Sequence, residues 1–393
     1  MQYSRRDFGK LALASLPAAA LANSPLGAVP LFQGRPNSLI NGVQLGTITY
    51  SFRSMPDQSA EATLRYCVES GISAIELMGG PVNDYARKRT GFTPPTAGAR
   101  AGGAPGGAGA GRAGAPAGAG GAGRGGRGAV DPATLTGKWN GVACAPAQPG
   151  TDPVTGTEPF VPGAGRGGRG GAPTPEQIEA AAAERKWRLG LSMDIFKDLR
   201  KMYNDAGVRI YAVKDVRQDT DEDLEYTFAV AEALGANHIT LELPSGPTAG
   251  GELKRLGDWG ARKKIYVAYH THAQGSMTAF DEAFRISPGN MANVDLGHMV
   301  AGGNRGGTPI DFLNKHHARI SSFHLKDRTT PQNCAQNLAW GTGETPIKDI
   351  LQLVRRNRWT FPATIELEYQ IPEGSDAVKE VAKCIQYCRA ALA

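Results

Sequence analysis

The sequence lacks what a disulfide scaffold or a structural zinc site requires. Its five cysteines, Cys67, Cys144, Cys334, Cys384 and Cys388, are an odd number, and no pair has zinc-finger or redox spacing. Cys384 and Cys388 stand four apart on an expected helix, where a bridge is geometrically poor. This pattern predicts no disulfide framework. A basic body is lacking too. The formal net charge is +6, but residues 1–22 carry a net +2 and residues 95–171 a net +4, so the remainder is near neutral. That balance opposes a nucleic-acid groove in the globular part. No apolar run is long enough to span a membrane comfortably.

What is abundant is glycine, with 52 residues that cluster between about Thr93 and Ala172. That stretch is Gly, Ala, Pro and Arg, with too little apolar surface to offset its ordering entropy. It reads as a long disordered insertion, 93–172, in which Trp139, Val142 and Cys144 are an exception able to touch the body. Its Arg-Gly-Gly repeats resemble RNA-binding tracts. A solvated or surface-adhesive loop fits a neutral body better, so no nucleic-acid partner is expected. The 393-residue chain is 41% hydrophobic overall, and what lies outside that stretch is long enough for one α/β barrel.

Residues 1–22, MQYSRRDFGKLALASLPAAALA, read as an export leader with a cut after Ala22. Ser4-Arg5-Arg6-Asp7-Phe8-Gly9-Lys10 resembles the twin-arginine signal, with Gly9 where such signals usually have a larger apolar residue. The resemblance implies export of a folded protein to the periplasm, with the membrane met only in transit. An N-terminal anchor is the alternative, disfavoured by the shortness of the apolar run.

Beyond the leader, apolar β-prone runs alternate with helical sequence. Strands are expected at 43–52, 72–78, 208–216, 238–243, 265–273, 292–296, 320–325 and 364–369. Helices are expected at 59–70, 174–188, 193–206, 221–234, 280–284, 310–316, 345–356 and 377–392. Eight alternations predict a parallel (β/α)₈ TIM barrel over 43–92 and 174–392. In such a barrel the strand C-termini converge on one face, which carries the chemistry.

The polar residues at those ends suit that chemistry. Asp295, His324 and Glu366 end strands six, seven and eight, and carboxylates with an imidazole suit a hard divalent ion. Glu242, His270 and His272 compete for a fourth place. Side chains two apart on a strand share a face, so His270 and His272 go together, as do Glu366 and Glu368. One of each pair can bind metal while the other meets substrate or moves a proton. His298 can orient a ligand or touch substrate, Lys326 can contact a substrate oxygen, and Trp340 can stack on a sugar ring; ordinary structural roles remain open for all three.

Asp295-Leu296-Gly297-His298, His324-Leu325-Lys326-Asp327, Trp340-Gly341-x-Gly343-x-Thr345-Pro346-Ile347 and Ile365-Glu366-Leu367-Glu368-Tyr369 resemble the xylose-isomerase-like TIM barrel superfamily, broadly the sugar phosphate isomerases/epimerases. The resemblance implies one divalent metal, Mn²⁺ foremost with Mg²⁺, Co²⁺ or Zn²⁺ as alternatives. Strands five to eight supply its Glu, Asp, His and Glu ligands, the last three falling on Asp295, His324 and Glu366. At strand five the chain departs, with Tyr269-His270-Thr271-His272 where epimerases carry Glu. Members with His-x-His resemble inosose dehydratase and keto-sugar branches, in which a strand-four Glu, here Glu242, takes over the metal. A symmetric two-glutamate mechanism is thereby put in doubt.

The expected activity is isomerisation or epimerisation of a sugar or cyclitol through an enediolate. His270, His272, Glu368 and Lys326 are the catalytic candidates, and His298 and Trp340 the substrate-binding ones. Lyase, dehydratase or deglycosidase chemistry on 3-keto sugars is the alternative, and a non-catalytic sugar-binding barrel a third reading. The partner is a small carbohydrate. Phosphate in the substrate is not expected, because no Gly-rich phosphate cradle is evident.

Overall fold

A computed structural model describes residues 34–95, 137–139, 142–144 and 174–393. The expected leader and most of the insertion lie outside the described residues. Eight parallel strands close into a barrel: β1 Val43–Ile48, β2 Ala74–Met78, β3 Arg209–Lys214, β4 His238–Glu242, β5 Tyr266–His270, β6 Asn290–Asp295, β7 Ile320–Leu325 and β8 Ala363–Ile365. Each pairs with the next, β8 returns to β1 through Ala363↔Leu45, and Thr47↔Ile75 joins β1 to β2. A two-residue strand, Leu39–Ile40, lies antiparallel against β1.

Among the described residues, eleven helices accompany these strands: α1 Ala60–Glu69, α2 Gly79–Thr90, α3 Pro175–Leu189, α4 Asp194–Asp205, α5 Asp221–Leu234, α6 Ala249–Lys263, α7 Asp281–Ile286, α8 Leu296–Ala301, α9 Pro309–His316, α10 Ile347–Asn357 and α11 Ala377–Leu392. Their starts follow capping chemistry. Thr174 and Thr308 each make a reciprocal capping box with a Pro in the first turn, while Ser59, Thr220 and Asp376 cap with single side chains. The apolar core fills the space between strands and helices, with Phe196, Tyr203, Phe228, Phe280 and Phe312 fully buried.

Inside the barrel the lining is polar. The Tyr211 hydroxyl on β3 meets Thr364 Oγ1 on β8 at 2.7 Å, and His238 Nε2 on β4 meets Ser322 Oγ on β7 at 2.9 Å. Strands so paired are not neighbours, so these bonds cross the lumen. Gly46 makes room for this layer, since a Cβ there would stand 2.7 Å from the Tyr211 ring.

The hairpin Lys138–Trp139/Val142–Ala143 overturns the expectation about cysteine. Cys144 forms a disulfide with Cys334, 190 residues away, with Cα atoms 5.1 Å apart. Cys334 follows β7 and is buried, and Cys144 packs against Ala273, Ala301 and Ala335. A bridge between such distant residues leaves no spacing signal, so it is visible only once the barrel sets the partners side by side. Cys67, Cys384 and Cys388 are free and buried.

Several bounds moved. The expected first strand ends at Ile48 and continues as a 3₁₀ turn, Thr49–Phe52. The fifth ends at His270, and the eighth at Ile365, so His272, Glu366 and Glu368 stand on the loops above the strands. Helices α2 and α6 were not expected. Both are rich in glycine, and in α6 the reason is close packing: a Cβ on Gly257 would lie 2.5 Å from Ser287 Cβ, and one on Gly260 2.9 Å from the Ile265 carbonyl oxygen.

Two stability predictions follow from the lumen. Gly46→Ala should destabilise the barrel by about 1–3 kcal/mol, read from its urea midpoint, because the buried Tyr211 ring cannot withdraw. His238 is fully buried, and burial foremost lowers its pKa from 6.5 to about 4. Between those values the unfolded chain binds a proton that the folded barrel refuses. Stability should therefore fall as pH drops from about 6.5 toward 4, by up to about 3 kcal/mol. His238→Asn should lose less between pH 7 and pH 5 than the native chain; an equal loss in both would refute this.

Candidate metal centre

The C-terminal rim gathers ionisable residues from seven of the eight strands, or from the loops just after them. His270, Asp295, His324 and Glu366 each offer a ligand atom, and the four atoms lie within 4.8 Å of one another. Ligands about 2.1 Å from one ion stand at most about 4.2 Å apart, so only a small contraction separates this set from coordination.

His324 is the pivot. Its Nδ1 lies 2.7 Å from Glu366 Oε2 and its Nε2 2.8 Å from Glu76 Oε2. Burial disfavours the ring's charge, but the Glu76 and Glu366 carboxylates outweigh it and hold the pKa up to about 10. Glu76 on β2 also accepts from Thr240 Oγ1 at 2.6 Å and Asn293 Nδ2 at 3.1 Å. Burial raises its pKa, yet His324, Lys214 and Thr240 bring it down to about 2. Sequence reasoning passed over Glu76 as a site residue. Its only signal was an acid inside an apolar strand, Ala-Ile-Glu-Leu-Met.

Asp295 divides its two oxygens. Oδ1 accepts from the His298 amide at 2.7 Å and caps α8, while Oδ2 is buried and faces an ammonium. Lys326 points at this oxygen: its Nζ is 3.0 Å from Asp295 Oδ2, 2.9 Å from Glu366 Oε2 and 2.6 Å from Glu368 Oε2. Burial opposes the ammonium, but the three carboxylates hold its pKa well above the ordinary lysine range. Four carboxylates, Glu76, Asp295, Glu366 and Glu368, thus converge on Lys326 and His324. This acidic excess and the N/O donor set fit a divalent cation.

Glu242 stands apart from the four. Its Oε1 receives Lys214 Nζ at 3.1 Å and its Oε2 lies 3.2 Å from His272 Nδ1. Burial works against the His272 charge, but Glu242 raises its pKa overall. The His270 and His272 rings remain close, with centroids 5.0 Å apart. His270 is kept neutral by burial first, then by Lys214 and His324. His298 sits between cations, with Nδ1 2.6 Å from Arg328 Nη1 and Nε2 2.9 Å from Lys326 Nζ. His270, His272 and His298 also form a second close trio of ligand atoms.

Trp340 lies elsewhere, edge-on against Tyr387 of α11 with centroids 6.0 Å apart. The loop that carries it is organised by Asp327, whose carboxylate accepts from the amides of Gly341, Thr342, Gly343 and Thr345. A cleft of about 780 Å³ opens beside the cluster over β2–β5, with Glu242 and His272 on its wall.

A closed parallel barrel with carboxylate and imidazole donors at its C-terminal rim defines a class, and the chain's relatives narrow it. The family model described as xylose isomerase-like TIM barrel matches residues 176–388, and the chain belongs to that family. Solved structures of similar fold include the probable 3-DHS dehydratase AsbF of Bacillus anthracis (13% identity, 88% of this chain and 99% of that one, TM-score 0.48). A sugar phosphate isomerase/epimerase of Parabacteroides distasonis is similar at 13% identity, over 89% of this chain and 96% of its own, with TM-score 0.46. A xylose isomerase domain protein of Planctomyces limnophilus is 20% identical, over 51% and 82%, with TM-score 0.41. No curated protein matches.

Removing Lys326 tests the charge balance. In Lys326→Met, measured without divalent ions, Asp295, Glu366 and Glu368 keep their burial and lose their counter-ion. The loss should be about 3–5 kcal/mol in a urea titration. An unchanged midpoint would mean that the carboxylates do not carry the charge assigned to them.

Proposed function

We propose that the protein is an exported, divalent-metal-dependent isomerase or epimerase that moves a proton beside the carbonyl of a neutral sugar or cyclitol. The observation that carries this reading is the convergence of His270, Asp295, His324 and Glu366 within 4.8 Å at the rim of a xylose isomerase-like barrel. These four would hold the ion, with Mn²⁺ first among the candidates. When bound, such an ion polarises a sugar carbonyl and the neighbouring hydroxyl and acidifies the proton between them.

The chain's own residues divide into two groups by exposure. His324 and Asp295 have side chains 0% exposed and Glu366 8%, whereas His272 and Glu368 each remain 20% exposed. The sealed group suits ligation and the open group suits proton transfer. Glu368 is the base, positioned by Lys326, and His272 supplies or retrieves a proton on the other side, charged by its contact with Glu242. Glu76 orients His324 by holding Nε2, leaving Nδ1 toward the ligand cluster. Lys326 then turns from counter-ion to donor for a substrate oxygen.

Export through the twin-arginine route is part of the proposal. The Cys144–Cys334 disulfide supports it, because such bridges persist in oxidising compartments. Elimination from a 3-keto sugar needs the same first proton transfer and differs only in the fate of the enediolate.

Metal analysis is the deciding experiment. After incubation with Mn²⁺ and gel filtration, the native chain should retain one equivalent, and Asp295→Ala and His324→Ala none. Glu76→Gln should weaken the ion's affinity by roughly 10–100-fold. Turnover of keto-sugars in D₂O should then place solvent deuterium on the carbon next to the carbonyl. A native chain with no affinity for any divalent ion would sink the enzyme reading and favour a sugar-binding barrel.

A further inference from the structure

The cleft beside the cluster is larger than the proposed chemistry needs. At about 780 Å³ it lies within the range of roughly 300–1,000 Å³ that takes drug-sized ligands. One hexose ring placed at the metal cluster would leave most of it empty. It runs from the Glu242–His272 pair across the ends of β2, β3 and β4 to α2, so it continues the catalytic face. We infer that this cleft is a second subsite, which holds a neutral, polyhydroxylated unit joined to the sugar ring that reacts, so that the substrate is a glycoside of two or more rings. The inference rests on the reading above.

Charge decides the class of ligand. The cations on the wall are already neutralised. Arg87 pairs with Glu184 at 2.7 Å, Lys214 with Glu242 at 3.1 Å and Arg217 with Asp215 at 3.0 Å. A further acid, Glu252, accepts from Gln218 Nε2 at 3.0 Å. The wall therefore carries no basic excess, and a phosphate or carboxylate ligand would meet repulsion without a free partner. Amides, guanidinium groups and carboxylates instead offer donors and acceptors side by side. Sugar hydroxyls use both, since each donates once and accepts twice. Met78, Leu241 and Leu243 add an apolar strip on the same wall, suited to the C–H face of a pyranose.

Position supports the same conclusion. Glu242 and His272 belong both to the cleft wall and to the rim of the ligand cluster. A substituent leaving the reacting ring toward the cleft would pass His272, the group placed to protonate a departing oxygen. In an elimination the C–O bond to that unit breaks, its electron pair stays on oxygen, and His272 returns a proton to it. The enediolate electrons become the new C=C bond, so atoms and charge balance with no further reactant.

The test is calorimetric titration of the full chain, loaded with Mn²⁺ and with its metal content measured. The probes are glucose and a panel of disaccharides: cellobiose, maltose, lactose and sucrose. At least one disaccharide should bind about tenfold or more tighter than glucose. Gln218→Ala should bring that ratio to within about twofold. So should Gly80→Leu, because Gly80 lines the cleft and a Cβ there meets nothing within 4 Å, which leaves the fold unstrained. Equal affinities for glucose and every disaccharide would overturn the subsite, as would a disaccharide preference that survives both substitutions. Failure of the metal-enzyme reading would show separately, as a chain that retains no Mn²⁺ and exchanges no deuterium.

Discussion

One imidazole between two carboxylates governs the centre of this barrel. His324 on β7 reaches Glu76 on β2 and Glu366 beyond β8, so a single ring ties three places on the barrel wall. In a buried, weakly screened site, each of these groups would be costly alone. Together they fix one another's charge. Thr240 and Asn293 bind Glu76 from β4 and β6, so most of the barrel's circumference shares one polar network. Such a network tolerates little slack, because losing any member strands a buried charge.

The same constraint explains why the lumen is polar rather than filled with branched aliphatic side chains. A charged rim needs support from beneath that supplies donors and acceptors. Ser322 serves both Asn293 and His238, and Thr364 meets Tyr211. The apolar core is displaced outward, between strands and helices, where alternation along each strand puts it. The barrel thus separates its two tasks by face: stability outside, chemistry inside and at one end.

Much of this was legible in the sequence because it is local. The hydrophobic runs and their caps placed all eight strands, and α5 and α11 fell on their expected bounds. Asp295, His324, Glu366 and Glu368 stood out as candidates because each ends or follows a strand, where a barrel concentrates function. What escaped was non-local or traded away. Glu76 reads as a stray acid in a strand until β2 is seen facing β7. Cys144 and Cys334 have no spacing to betray them. Helix α6 hides behind glycines whose helix propensity was exchanged for close approach to Ser287 and Ile265. Glu242, His270 and His272 competed for the fourth place, and how they divide follows where β5 stops. It ends at His270, which places that ring in the cluster and leaves His272 on the loop to engage Glu242.

Lys326 ties the folding problem to the chemical one. Three carboxylates within 3.0 Å of its ammonium could not be buried together without a cation. The lysine supplies one from within the chain, which offsets part of the rim's acidic excess. Asp295 and Glu366 are also among the residues that would hold a divalent ion under the proposed function, and such an ion would supply positive charge to the same two carboxylates. Glu368, the most exposed of the three acids, is also the one nearest the ammonium, at 2.6 Å. A group needed to fold an acidic site is in this way already in place to meet a substrate oxygen. The motif His324-Leu325-Lys326-Asp327 reads accordingly as four consecutive duties: bridge between two carboxylates, core, internal cation and loop anchor.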